Sequence, residues 1–292
     1  MKDYLIRGID KEGTIRIFVA STTNMVEAAR TAHNTAPTST AALGRSLTAA
    51  AMMGVMMKNE DDRLTLKIAG GGPIGTIMMV ANNKGDVKGY VDNPHADVPS
   101  RSDGKLDVRG VVGTDGNITT IMDLGLKDPY IGQANLISGE IAEDIASYYL
   151  VSEQQPSAVS LGVLVDTDIS VKAAGGYIVQ LLGGISEESI VKIEEALKAI
   201  EPVSTLIDKG LSPEDIMQKI LPEFDMQVLD KMEISYKCDC SRERLERVLK
   251  SIGNDEIKAM IEEDGKAEVV CHFCNTKYQF SKEDLEKIIV DN

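Results

Sequence analysis

The sequence predicts an α+β protein in three parts: a strand-rich N-terminal domain with packed helices over residues 1–184, a helical linker over 185–231, and a small cysteine-bearing domain over 232–292. Three observations predict it. Short alternating apolar runs separated by Gly, Pro and Asn/Asp turns fill the first part. Pro202, Gly210 and Pro222 break the second into short amphipathic pieces. All four cysteines, Cys238, Cys240, Cys271 and Cys274, fall in the third.

Alternation places strands at Asp3–Ile9, Thr14–Ala20, Leu64–Ala69, Gly75–Ala81 and Val87–Val91, then around Gly116–Met122, Ala158–Val165 and Ile169–Leu182. Helical spacing interrupts them at Met25–His33, Thr38–Met57 and Glu140–Val151. The second of these is apolar enough to be buried. One sheet covered by helices is the expected architecture of this domain. Gly70, Gly71, Gly72 and Pro73 lack a following Gly-Lys-Ser/Thr and precede a strand, so they read as a tight turn and not as a phosphate loop. Met52, Met53, Met56 and Met57 have the spacing of core filling, with an adaptable binding surface as the other reading.

In the linker, Ile190, Ile193, Leu197 and Ile200 form one stripe opposite Glu187, Glu188, Glu194 and Glu195, and Ser212 and Pro213 open a second helix. Helices this short are marginal alone, so the linker is expected to be metastable and to borrow its order from packing. In the last part Ile234 and Tyr236 lead as a strand into the first cysteines, and Ser241 caps a helix stopped by Gly253. Lys266–Cys271 and Asn275–Phe280 form a hairpin, and Ser281 caps a final helix.

Composition removes several functions. The chain has 292 residues, 43% of them hydrophobic, which is enough for a real core. Thirty-one Lys and Arg against 46 Asp and Glu give a net charge of −15, the wrong sign for a nucleic-acid partner. Aromatics make up 4%, with no Trp, which argues against base-stacking platforms. The opening MKDYLIRGIDKEG has no apolar signal core, so a cytoplasmic location is expected. The apolar run at Thr48–Met57 falls well short of the roughly 20 residues that span a bilayer, so no membrane partner is expected. His33 and His95 are the only histidines before the cysteines, and no Ser/His/Asp set is evident. The chain is not expected to be an enzyme.

The cysteines read as C-x-C and C-x-x-C, two chelating pairs that together supply one tetrahedral site. Four thiolates without an open position favour one Zn2+. A thioredoxin-like redox pair needs a strand before the motif and a helix opening at it, whereas the flanks here form a hairpin. His272 reads as a surface residue. Lys237, Arg242, Arg244, Arg247 and Lys277 are expected to favour the thiolate form, partly offset by Glu243 and Glu246. A purely structural staple remains open at this point.

The segments CDCSRER, EEDG and VCHFCNTKYQF, preceded far upstream by AALGR, GGGPIG and AAGGYIVQ, resemble the redox-regulated heat-shock chaperones of the 33 kDa chaperonin family over essentially the whole chain. The resemblance implies an ATP-independent holdase for unfolding client proteins, active under oxidative stress and a homodimer when activated. It implies that Cys238, Cys240, Cys271 and Cys274 bind zinc when reduced and form the disulfides Cys238–Cys240 and Cys271–Cys274 when oxidised. The zinc module then unfolds, the linker loses order, and client-binding surface is exposed, with Ile190, Leu197 and Leu206 as linker candidates. Bridges between such close neighbours constrain almost nothing at long range, so trading a four-thiolate cross-link for them removes the staple. Two other readings stand beside it: a static zinc-ribbon adaptor for protein or nucleic acid, and a thiol-disulfide oxidoreductase using Cys271 and Cys274.

Overall fold

The computed structural model describes residues 2–290, and the chain divides into two compact units between Lys237 and Cys238. The first unit runs β1 (Tyr4–Asp10), β2 (Ile15–Ser21), α1 (Thr23–His33), α2 (Pro37–Gly54), β3 (Arg63–Ala69), β4 (Thr76–Asn82) and β5 (Asp86–Val91). It continues with α3 (Val108–Val112), β6 (Asn117–Asp123), β7 (Tyr130–Asn135), α4 (Ala142–Val151), β8 (Ser157–Val165) and β9 (Val171–Leu181). Then follow α5 (Glu187–Ala199), α6 (Val203–Asp208), α7 (Pro213–Ile220), β10 (Met226–Glu233) and β11 (Ser235–Tyr236). The mixed, strand-rich character is as expected, but the single sheet is not. A five-stranded sheet has the order β10-β1-β2-β9-β8 and a six-stranded sheet the order β11-β5-β4-β3-β6-β7.

The reason lies in α2. Nearly every residue from Thr38 to Gly54 is buried, with Arg45 the half-buried exception. A helix apolar on all sides cannot be covered by one sheet face. It packs on β2, β8 and β9 of one sheet and on β3, β4 and β5 of the other. Two of its hydroxyls turn back to its own carbonyls, Ser46 Oγ to Ala42 O at 2.9 Å and Thr48 Oγ1 to Gly44 O at 2.8 Å, and Ser39 Oγ donates to Ala96 O at 2.6 Å, so burial leaves them satisfied. Met52 and Met53 are buried in this core and Met56 and Met57 half-buried against it, as core filling requires. The Gly70–Pro73 segment is a turn entering β4.

Strand alternation divides the five-stranded sheet between two cores. Phe18 and Ala20 of β2 join the α2 core, whereas Ile15, Ile17 and Val19 face a second cluster with Ile6, Tyr177 and Val179. That second face is covered by the helices of 185–231, through Ile193, Val203, Leu206, Ile216, Met217 and Ile220. Capping at α7 follows the sequence reading, with Ser212 and Asp215 in a reciprocal box and Pro213 in the first turn, and at α5 Ser186 Oγ accepts the Ser189 N–H. The seat of α6 is glycine-floored. A Cβ at Gly175 would stand 2.3 Å from Ile207 Cδ1, and one at Gly162 2.7 Å from Ser204 Oγ, so only glycine admits the helix this closely.

The expected boundary at 231/232 falls inside β10, which pairs antiparallel with β1 at the sheet edge, with a register shift at Arg7/Gly8. Past it, Ile234 is buried in the α2 core, and β11 pairs parallel with β5, with the Tyr236 hydroxyl donating to Gly89 O at 2.9 Å. Among the described residues no helix is long and apolar enough to cross a membrane.

The second unit comprises α8 (Arg242–Ile252), α9 (Asn254–Glu263), the antiparallel hairpin β12 (Lys266–Val270) and β13 (Lys277–Ser281), and α10 (Lys282–Val290). Its buried apolar core consists of Leu249, Ile257, Phe280, Leu285 and Ile288. So small a core does not ordinarily hold a domain of this length without a staple.

Candidate metal centre

Both cysteine pairs sit where backbone geometry fixes them. Cys238 and Cys240 lie in the extended segment that ends at Ser241, whose Oγ accepts the Arg244 N–H and starts α8. Cys271 and Cys274 form the tip of the β12–β13 hairpin. There Cys271 N–H donates to Thr276 O at 3.0 Å, and the Asn275 N–H returns to Cys271 O at 2.8 Å, with Asn275 at a φ of 56°. An Asn tolerates this left-handed conformation better than most residues, which makes the tight knuckle accessible.

The four Sγ atoms lie within 4.8 Å of one another, and Cys271 is the most buried of the four. Two close approaches run between the pairs, Cys238 to Cys271 at 3.7 Å and Cys240 to Cys274 at 3.4 Å. All four thiols are free of disulfides. A tetrahedron with metal–sulfur bonds of about 2.3 Å has edges of about 3.8 Å, so this cluster is of the size that closes on one cation. The donor set fits a four-coordinate thiolate metal. The exposed His272 lies outside it.

The family model described as Hsp33 protein matches residues 3–281. The chain belongs to the Hsp33 family. Among curated Hsp33 relatives, the 33 kDa chaperonin of Alkaliphilus oremlandii is 52% identical over 288 residues, covering 99% of this chain and 96% of that protein. The 33 kDa chaperonin of Bacillus cytotoxicus is 52% identical over 289 residues, covering 99% of each. The crystal structure of the 33 kDa chaperonin, an Hsp33 homolog, from Thermotoga maritima superposes with a TM-score of 0.93 at 39% identity, covering 100% of both chains. Membership of the Hsp33 family supports a chaperone role.

The electrostatics around the Hsp33 cysteines differ from the sequence expectation. Arg244 is paired with Asp239 at 3.0 Å and Lys277 with Glu268 at 3.2 Å. Lys237 pairs with Asp86 at 3.2 Å within the first unit. Arg242 donates to Gln279 O at 2.7 Å and to Asp284 at 2.8 Å while lying over the Phe280 ring, 4.4 Å from its centroid. These cations are committed to carboxylates, so other groups must compensate thiolate charge. Burial pushes the Cys238 and Cys271 thiols up. At Cys274 burial also works against ionisation, but the polar contacts with Thr276 and with the Cys240 and Cys271 sulfurs outweigh it and bring the thiol down to about 7. Four thiolates this close require a multivalent cation, since like charges otherwise force protonation.

Two contributors escaped the sequence reading. Thr276 Oγ1 lies 3.2 Å from Cys274 Sγ. Tyr278 Oη lies 3.2 Å from Cys240 Sγ and 3.3 Å from the Cys240 carbonyl oxygen, and the hydrogen bond with Cys240 holds the phenol up at about 12. A signal was present for Tyr278. It alternates with Phe280 in β13, and Phe280 is fully buried, so both belong to the inner face.

Proposed function

We propose that the chain is a redox-regulated, ATP-independent holdase that binds unfolding proteins and prevents their aggregation during oxidative stress. One observation carries this reading: sulfur contacts of 3.7 and 3.4 Å join the two pairs to each other across a unit with a five-residue buried core, so the cross-link supports the fold. When bound, Zn2+ supplies that cross-link, with Cys238, Cys240, Cys271 and Cys274 as its thiolate ligands, and such binding contributes on the order of 10 kcal/mol of apparent folding free energy.

Oxidation within each pair, giving Cys238–Cys240 and Cys271–Cys274, consumes all four ligands. Each pair gives two electrons to one hydrogen peroxide. One thiolate displaces hydroxide and becomes a sulfenic acid, the neighbouring thiol attacks that sulfur, the S–S bond forms and water leaves. No thiolate then remains to hold the cation, and residues 232–292 lose their staple. The helical linker, 185–231, follows as the metastable element. Its departure from the 1–184 domain uncovers Ile6, Ile15, Ile17, Val19, Tyr177 and Val179 on one sheet face. Linker side chains Ile190 and Leu197, half-buried, and Leu206, buried, become available with it. Clients are held by this aliphatic surface, without nucleic acid or membrane as partners, and the activated form is a homodimer. The resting protein is read as cytoplasmic, because a reducing compartment keeps such thiols available to the metal.

The test compares reduced, zinc-loaded protein with protein treated with peroxide at mild heat, without nucleotide. Suppression of light scattering from a thermally unfolding test protein, confined to the oxidised sample and accompanied by dimer formation in sedimentation, supports the holdase reading. Equal suppression by the reduced form removes the switch, and unchanged zinc content after oxidant favours a static zinc-ribbon adaptor.

A further inference from the structure

The sulfurs of the metal centre differ in the polar groups that meet them. Cys271 and Cys274 sit in one tight turn, closed by the Cys271 N–H donating to Thr276 O at 3.0 Å, and the Thr276 hydroxyl of that same turn lies 3.2 Å from Cys274 Sγ. At Cys240 the neighbour is the phenol of Tyr278, 38 residues along the chain, whose oxygen lies 3.2 Å from the sulfur and 3.3 Å from the Cys240 carbonyl oxygen. Tyr278 is carried by β13, opposite Val269 of β12, so the hairpin that presents Cys271 and Cys274 also presents the hydroxyl that meets a sulfur of the other pair.

We propose that Tyr278 is a positioning residue of the metal centre, donating its hydroxyl hydrogen to the Cys240 sulfur and thereby holding that thiolate on the metal and lowering its nucleophilicity. The inference rests on the metal-site reading above and does not depend on chaperone activity. A thiolate in a metal site keeps lone pairs that accept hydrogen bonds, and a donor aimed at one of them withdraws electron density from the sulfur. Outer partners of metal ligands typically change metal affinity by about tenfold or more when removed. Cys240 precedes the Ser241 cap of α8, and its carbonyl lies 3.3 Å from the Tyr278 hydroxyl; once the metal has displaced the thiol proton, the charged sulfur is the stronger acceptor for the one phenolic hydrogen.

The experiment uses the full zinc-loaded chain and iodoacetamide, which forms a sulfur–carbon bond as iodide leaves, with the site of alkylation resolved by peptide mass. Tyr278→Phe keeps the ring, which packs against the small core, and removes only the hydroxyl. The expected result is alkylation of Cys240 about threefold faster, from a dependence of thiolate reactivity on sulfur basicity with a slope of about 0.4–0.5. Cys271, served by its own turn, is unchanged in the same sample. Competition with a chromophoric chelator should show zinc held about tenfold more weakly. 3-Fluorotyrosine at position 278 retains the ring and strengthens the donor, and is expected to slow Cys240 alkylation, a graded response that packing alone does not produce. Unchanged Cys240 reactivity with both replacements, or an equal change at Cys271, overturns the proposal. If both hold while peroxide fails to activate the chaperone, the redox reading falls and the role of Tyr278 stands.

Discussion

Leu206 offers the sharpest test of what the linker does. It is 1% exposed at the centre of α6, pressed into the apolar face of the five-stranded sheet. Leu206→Ala removes the isopropyl end of a fully packed side chain and leaves a cavity over a rigid sheet, a change that costs about 3 kcal/mol. Because 1.4 kcal/mol is a factor of ten, the ratio of closed to open cover falls about 100-fold. The six-residue α6 has little stability of its own to offset this. The reduced, zinc-loaded variant should therefore show faster amide hydrogen exchange across 187–220 and should suppress aggregation without oxidant. Once oxidised it should act as well as the oxidised parent, since Leu206 is one contact among many. A variant whose cover exchanges freely in the reduced state but which still fails to hold clients would refute the claim that uncovering this face creates the binding surface.

Two further outcomes follow from the second unit. Chelation of the metal under reducing conditions should abolish the helical signal of 238–290 and loosen 185–231, while the amide resonances of the β3, β4, β6 and β7 strands keep their positions; a chelated unit that stays folded means the small core suffices alone. Arg242→Ala breaks the contacts to Gln279 and Asp284 and the stacking on Phe280, and should lower the melting free energy of the zinc-loaded second unit by about 1 kcal/mol, the scale of a half-exposed ion pair with one backbone hydrogen bond. Arg242→Lys, which keeps the charge without the planar fork, should recover only part of that loss.

What the sequence made legible was local. The chelate spacing of Cys238 with Cys240 and of Cys271 with Cys274 is a property of a few adjacent residues, and so are the Ser212–Pro213 start of α7 and the Ser241 cap of α8. Pairing over long distance was not legible. Ile15 opposite Leu181 and Asp10 opposite Met226 are what make the five-stranded sheet, and alternation says nothing about which strands meet. β10 was hidden for a related reason: an edge strand exposed over most of its length has no apolar alternation to read. β7, with a buried glycine at Gly132 and an exposed Ile131, misled in the same way. At the metal centre the ligands were readable because cysteine is rare here, but the Tyr278 hydroxyl reaches Cys240 through the hairpin register, and the ion pairs that engage Arg244 and Lys277 depend on rotamers. Spacing could not supply either.

The most direct measurement titrates hydrogen peroxide into the reduced, zinc-loaded chain and follows zinc release together with disulfide mapping. One zinc released per chain, in step with bridges Cys238–Cys240 and Cys271–Cys274 and with loss of order in the second unit, is the result the account predicts. Bridges joining either of the first two cysteines to either of the last two, or a second unit that keeps its helices after its zinc has gone, would contradict it.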